Sequence, residues 1–116
     1  MQIRELTFEE YAHQSRQTAI YPTMDTAYGF IYPTLGLAGE AGETANIVKK
    51  IIRDGKGIPS YSDRIKIRNE LGDVLWYIAQ LAKELELSLE EIAQGNLDKL
   101  FVRQERGTLQ GSGDNR

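Results

Sequence analysis

Two pairs of carboxylates constrain this chain more than any other feature: Glu40/Glu43 and Glu70/Asp73. Each pair has i,i+3 spacing. Each is set among small or apolar residues, Gly-Leu-Ala-Gly-Glu-Ala-Gly-Glu for the first and Asn-Glu-Leu-Gly-Asp-Val-Leu for the second. On a helix such neighbours share a face, where like charges are unfavourable by a few tenths of a kcal/mol. Four carboxylates facing one another therefore call for something positive between them. Hard cations such as Mg²⁺ take oxygen ligands and bridge substrate phosphates. The pattern predicts a helical metal site acting on a phosphorylated substrate.

The rest of the chain agrees with a helical reading. No Val/Ile/Thr-rich alternating stretch reads as a strand, and four helices emerge. The first starts at Thr7, an N-cap with Glu10 three residues on. It ends near Ala19, before Tyr21-Pro22, because a residue preceding proline avoids the α region. Residues 20–31 are a connection crowded with Tyr21, Tyr28 and Phe30. Helix two starts near Pro33, suited to a first turn, and runs to about Arg53, where Gly55, Gly57 and Pro59 break it. Helix three starts after Ser62 or Asp63, both good caps, and runs to about Leu85. Helix four has Ser88 as its cap, with Glu91 three residues on, and stops at Gly107. A domain of residues 1–107 is thus expected to be all-α, an antiparallel bundle of four main helices. The polar, glycine-rich segment 108–116 reads as a mobile tail.

On helix three, with Glu70 as zero, Asp73 falls at about −60° and Tyr77 at about −20°. Val74, Ile67, Leu81 and Leu71 fall between about 20° and 100°. The acidic stripe therefore borders the apolar face. Leu37, Val48 and Ile51 stand beside Glu40 and Glu43 in the same way. The span from Glu43 to Glu70 allows about ten helical residues, a loop of about nine and about seven returning residues. The two acidic pairs then stand at similar heights on antiparallel helices. Gly36, Gly39 and Gly42 each cost about 1 kcal/mol relative to Ala in a helix. Their spacing implies close approach by another helix or by a ligand. Glu84/Glu86 and Glu90/Glu91 read as solvated surface charge.

Several function classes drop out. Net charge is −3, with no basic run, which argues against binding a nucleic acid polymer through its phosphates. The absence of cysteine excludes thiolate zinc sites and disulfides, and one histidine, His13, is too few for a histidine-based site. No apolar run approaches the ~20 residues of a membrane span, and the acidic, broken N-terminus is unlike a signal peptide. A cytoplasmic protein without membrane partners is the expectation. Four helices in 116 residues make a thin bundle, and oligomerisation would hide more apolar surface.

Gly39-Glu40-Ala41-Gly42-Glu43, followed by Glu70-Leu71-Gly72-Asp73-Val74-Leu75-Trp76-Tyr77, resembles the MazG-like all-α nucleoside triphosphate pyrophosphohydrolases. Their signature is Glu-x-x-Glu, a spacer, then Glu-x-x-Asp. Asn96-Leu-Asp-Lys99-Leu-Phe-Val-Arg103 is similar to the family's Asn-x-x-Lys-x-x-x-Arg segment on the last helix. The resemblance covers residues 7–107. It implies a homodimer or a dimer of dimers (homotetramer). It also implies Mg²⁺-dependent hydrolysis of a nucleoside triphosphate between its α and β phosphates, with Mn²⁺ as a substitute cation. By matching position, Glu40, Glu43, Glu70 and Asp73 would be the metal-binding and catalytic carboxylates, and Asn96, Lys99 and Arg103 would hold phosphates.

Physical chemistry is compatible with that assignment. Asn96, Lys99 and Arg103 share one face of helix four, and the two cations suit the β and γ phosphates. Glu43 or Glu40 is placed to orient or deprotonate an attacking water. Lys50, two turns beyond Glu43, either touches phosphate or neutralises nearby acids. The base pocket has several candidates: His13, Gln14 and Gln17 on helix one, and Tyr28, Tyr32, Trp76 and Tyr77, since rings stack on bases and amides read their edges. Each also has a structural reading, Tyr77 as core and Trp76 as an interface residue. Glycines of the tail and Arg116 are candidates for a lid over the triphosphate. Two rival functions share these features. One is a related diphosphatase, acting on phosphoribosyl-ATP or dUTP. The other is a non-catalytic helical interaction module.

Overall fold

The computed structural model describes residues 5–115. Four helices follow one another: α1 (Phe8–Arg16), α2 (Ile31–Asp54), α3 (Tyr61–Glu84) and α4 (Leu89–Arg106). There is no strand among the described residues. Arg116, proposed above for a lid, lies outside them.

The helix ends follow from side chains that satisfy orphan amides. Thr7 accepts from the Glu10 amide at 3.0 Å, and Ser88 from the Glu91 amide at 3.2 Å. The start of α3 differs from the sequence reading. Its cap is Ser60, with Asp63 closing a reciprocal box: the Asp63 amide donates to Ser60 Oγ and the Ser60 amide to Asp63 Oδ2. Ser62 is simply inside the first turn. Phe30 precedes α2 without a side-chain cap, and Pro33 sits two residues inside the helix, where no amide is missed. Gly107 ends α4 in the left-handed region at φ 71°, and the Thr108 amide returns to the Arg103 carbonyl at 2.8 Å.

The α2–α3 pair is the backbone of the molecule, and its register is antiparallel. Tyr77 lies against Gly36, while Glu70 and Asp73 lie against Glu40. α1 packs on α3 and on α4. The four helices do not close into a compact bundle within one chain. The radius of gyration is 17.2 Å, against the roughly 13 Å usual for this length. Few apolar side chains are buried, among them Ile51, Ala79, Ala82 and Leu89. Leu35, Val48, Ile52, Leu71, Leu97 and Phe101 stay largely exposed.

A second junction ties α1 and the 17–30 connection to the end of α3. Arg16 donates to Tyr21 Oη at 2.6 Å and to Gln80 Oε1 at 3.2 Å, and pairs with Asp25 at 2.6 Å and Glu84 at 3.1 Å. The Tyr21 hydroxyl and the Asp25 amide both donate to Glu84. Gln80, fully buried, donates to Ser15 Oγ at 3.1 Å. Glu84 therefore corrects its sequence reading as solvated charge: its side chain is only 3% exposed. Burial and the Glu84 hydrogen bond push the Tyr21 hydroxyl up to about 12, so it stays a donor at any working pH.

Within one chain, the close approach expected of three glycines is realised at Gly36 alone. A Cβ there would run into the Tyr77 ring, whereas Gly39 and Gly42 meet nothing within 4 Å. The Tyr77 ring has little room to give, because Trp76 stands edge-on to it at 5.1 Å. Gly36→Ala is expected to destabilise the fold by about 2 kcal/mol through overpacking. Gly42→Ala is expected to stabilise the isolated chain by up to about 1 kcal/mol through helix propensity. Urea midpoints of the two variants, taken at a dilution where the chain is monomeric, check the opposite signs.

Candidate metal centre

The residues that matter sit where α2 and α3 face each other. One carboxylate oxygen from each of Glu40, Glu70 and Asp73 lies within 4.8 Å of the other two. Glu40 and Glu70 are half-buried, and Asp73 is exposed at the rim. The stripe is thus more central than the sequence reading made it. Glu40 belongs to the same α2 face as the buried Pro33 and Ile51, and Glu70 to the same α3 face as Val74, Tyr77 and Leu81. Val48 and Leu71, counted as core from their hydrophobicity, are turned outward.

Three carboxylates in that space cannot all stay ionised cheaply. The Glu40 carboxyl is pushed up to about 7, first by the hydrogen bond it shares with Glu70, then by burial, then by the charges of Glu70, Asp73 and Glu43. Glu70 Oε2 is buried and has no hydrogen-bond partner among the described residues. A buried acceptor left unpaired costs about 1–3 kcal/mol. A cation would satisfy it and offset the repulsion together. The donors are all oxygens, with no cysteine in the chain, so the set suits a hard cation and is a poor match to zinc or copper.

The remaining predicted residues are placed as follows. Glu43 is exposed and outside the three-carboxylate group, although its charge still reaches Glu40. Lys50 is exposed, its charge acting on Asp54 at the far end of α2. Asn96 is exposed on α4. Lys99 and Arg103 are engaged by Asp114 of the tail, at 3.2 Å each, rather than by any of the four carboxylates. His13 lines a cavity with Ala79, Ala82 and Lys83, six or more residues along α3 from Asp73. Gln14 and Gln17 are exposed on and after α1.

Three of the aromatic candidates, Tyr32, Trp76 and Tyr77, assemble with Tyr21 into one wall, while Tyr28 is 66% exposed. Tyr21 and Tyr32 stack at 5.6 Å with rings parallel to 2°, and Trp76 stands edge-on to Tyr21 at 6.3 Å. Tyr77 is tilted against Tyr32 at 6.5 Å. The Trp76 indole donates to Thr18 Oγ1 at 2.8 Å, so its polar edge serves the fold. Burial raises the Tyr77 hydroxyl, helped by Tyr32, Glu40 and Asp73, which places the ring beside the carboxylates. Tyr11 was passed over as a site residue, yet burial and then Asp73 raise its hydroxyl too. Its place one helix away in sequence hid that proximity.

The metal-free protein has a pH signature. Because the folded Glu40 value of about 7 lies above the ordinary 4.5, its contribution is fully present below about 4.5 and is lost as pH rises through 7. In chelator, Glu40→Gln is expected to melt higher than wild type at pH 8, with the gap closing toward pH 5. Adding Mg²⁺ at pH 8 is expected to raise the wild-type melting temperature and not that of the variant. Scanning calorimetry of both proteins with and without the cation checks this.

Two antiparallel helices that bring Glu40 against Glu70 and Asp73 form an all-oxygen carboxylate cluster, and comparison with known proteins gives the class. Residues 33–108 match the MazG nucleotide pyrophosphohydrolase domain, and the chain belongs to that family. A relative, the Gene 37 protein of Mycobacterium phage L5, is 50% identical over 109 residues, covering 91% of this chain and 96% of the relative. No solved structure matches the chain. None of the helices of the described residues is long and apolar enough to cross a membrane.

Proposed function

We propose that the protein is a cytoplasmic, Mg²⁺-dependent nucleoside triphosphate pyrophosphohydrolase that cleaves between the α and β phosphates, releasing a nucleoside monophosphate and pyrophosphate. The observation that carries this is the buried, unpartnered Glu70 Oε2 inside the Glu40/Glu70/Asp73 cluster. Those three residues would hold the cation, with Glu43 at the rim. When bound, Mg²⁺ (or Mn²⁺ in its place) supplies positive charge to phosphate oxygens and makes water easier to deprotonate. Glu40 or Glu43 orients the attacking water and takes its proton. The water oxygen bonds to the α phosphorus, the α–β bridging bond breaks, and pyrophosphate leaves with the electron pair. Lys99 and Arg103 offset the charge of the leaving pyrophosphate, and the Asn96 amide donates to it. Tyr32 and Tyr77 offer the ring faces nearest the carboxylates for a base.

A second copy of the chain is part of this reading. The exposed Leu35, Val48, Ile52, Leu71 and Phe101, and the open surface at Gly39 and Gly42, suit close packing in a homodimer or homotetramer. The test is pyrophosphate release from all ribo- and deoxynucleoside triphosphates, dUTP and phosphoribosyl-ATP included, with and without Mg²⁺, the nucleotide product being separated by chromatography. Monophosphate and pyrophosphate appearing only with the cation is the expected result. A substrate ranking led by dUTP or phosphoribosyl-ATP would shift the assignment to a specialised diphosphatase. Turnover of none would favour the interaction module.

A further inference from the structure

The tail presents an acid to the cations assigned to substrate phosphate. The turn at Gly107 reverses the chain, and Gly111 and Gly113, at φ 146° and 82°, take further positive-φ steps before Asp114, which lies back beside α4. Asp114 Oδ1 accepts from Lys99 Nζ and from Arg103 Nη2, each at 3.2 Å, and its carbonyl accepts from Arg103 Nη2 at 3.0 Å. Lys99 and Arg103 are one turn apart, so a single oxygen reaches both. The two cations also hold the Asp114 carboxyl below its usual range, Lys99 most strongly.

Two observations mark this contact as a stand-in for something larger. Arg103 is nearly fully buried, yet its Nε–H has no hydrogen-bond partner among the described residues. A guanidinium offers five donors in a fixed fork, and Asp114 uses only one of its nitrogens. A phosphate, with oxygens in three directions, can fill more of the fork. The Asp114 side chain itself is 83% exposed and so is easily lifted away. Between α4 and the tail lies a cleft of about 410 Å³ whose lining includes the cations Lys99, Arg103 and Arg106 together with the acids Asp98 and Asp114, within the range of small-ligand sites.

We propose that Asp114 is a built-in substitute for substrate phosphate, a tethered positioning residue that holds Lys99 and Arg103 ready and must be displaced before a polyphosphate binds them. This rests on the phosphate-binding role given to Lys99 and Arg103 above. A tethered competitor raises the dissociation constant of every anion that needs this pair. Weak single phosphates then fall below useful occupancy. A triphosphate, anchored also at the carboxylates, still displaces the tail. The same competition favours departure of pyrophosphate once the α–β bond is cut.

The test uses the full chain and inorganic tripolyphosphate, titrated calorimetrically without divalent cation at low salt. Asp114→Asn is expected to tighten binding about tenfold. Asp54→Asn, an equal change of net charge at the far end of α2, is expected to leave it unchanged. Lys99→Gln is expected to weaken binding and to reduce the gain from Asp114→Asn in the double variant. With a turned-over triphosphate, Asp114→Asn is expected to lower KM while kcat does not rise. If Asp114→Asn binds like wild type while Lys99→Gln weakens binding, the substitute role is overturned and the phosphate role of Lys99 stands. If Lys99→Gln changes nothing in either background, the phosphate role itself is wrong, and the proposal falls with it.

Discussion

Glu70→Gln is expected to lower Mg²⁺-dependent turnover by about a thousandfold, the scale reached when a preorganised charge is removed from an active centre. Glu70 is the carboxylate whose loss should matter most. It lies on the α3 face packed against α2, it is the largest influence on Glu40, and one of its oxygens is buried without a partner. The amide keeps the volume and cannot supply a second negative oxygen. Loss of the cation and gain of stability should therefore go together. Without metal at pH 8, where Glu40 is ionised, the variant should melt higher than wild type, because like-charge repulsion with Glu40 is relieved. With Mg²⁺ it should show no shift, whereas wild type should rise. Glu43→Gln, at an exposed position outside the cluster, should cost less. Initial rates and melting curves across a Mg²⁺ titration separate these effects. Turnover by Glu70→Gln with unaltered Mg²⁺ dependence would remove the cluster from the chemistry.

That Glu40 comes close to Glu70 and Asp73 was readable in the sequence, because spacing and a short loop leave little geometric freedom, whereas Glu43 is exposed and outside the cluster. Two long helices joined by residues 55–60 must return antiparallel, and that alone brings residue 40 level with residues 70 and 73. Which stripe of each helix faces its neighbour was not readable. Hydrophobicity put Leu71 and Val48 in the core, and they are outward. Helical periodicity identifies an apolar stripe without saying whether it meets this chain or another surface. The inward stripe of α2 is built instead from Pro33, Gly36, Glu40 and Ile51, a mixture no hydropathy scale selects. Small side chains at Gly36 admit the Tyr77 ring, and that contact sets the helix spacing at the cluster.

The tail and the α1 junction were hidden for a different reason. Asp114 reaches Lys99 and Arg103 only because left-handed glycines reverse the chain, and composition says merely that such a segment can bend. The cap of α3 was missed by two residues, since Ser60, Ser62 and Asp63 all carry capping side chains. Only the reciprocal Ser60/Asp63 geometry decides among them. Glu84 looked like one more acid in a charged turn. Its burial depends on Arg16, 68 positions earlier, and no local pattern encodes that.

Glu84→Ala is accordingly expected to destabilise the protein by about 3 kcal/mol, the largest stability loss foreseen for a single residue outside the metal centre. Removing one member of a buried ion pair leaves the other charge unmatched, which typically costs about 3–5 kcal/mol. The lower end applies because Arg16 remains 15% exposed and keeps Asp25 as a partner. Three further donors or contacts would be stranded: the Tyr21 hydroxyl, the Asp25 amide, and the loop backbone at Gly29, where a Cβ would collide with the Glu84 carboxylate. Glu86→Ala, two residues on and exposed with a left-handed φ of 57°, should stay within about 0.5 kcal/mol of wild type. Equilibrium urea unfolding at fixed protein concentration measures both. Equal midpoints for the two variants would show that the network adds nothing to the fold. The effect should also reach function. The network pins the connection carrying Tyr21, whose ring stacks on Tyr32, and Tyr32 in turn leans on Tyr77 beside the carboxylates. Loosening Glu84 should therefore raise KM for a nucleotide before it lowers Mg²⁺ affinity, because the aromatic wall is tied to this junction and the carboxylates are held by α2 and α3 alone.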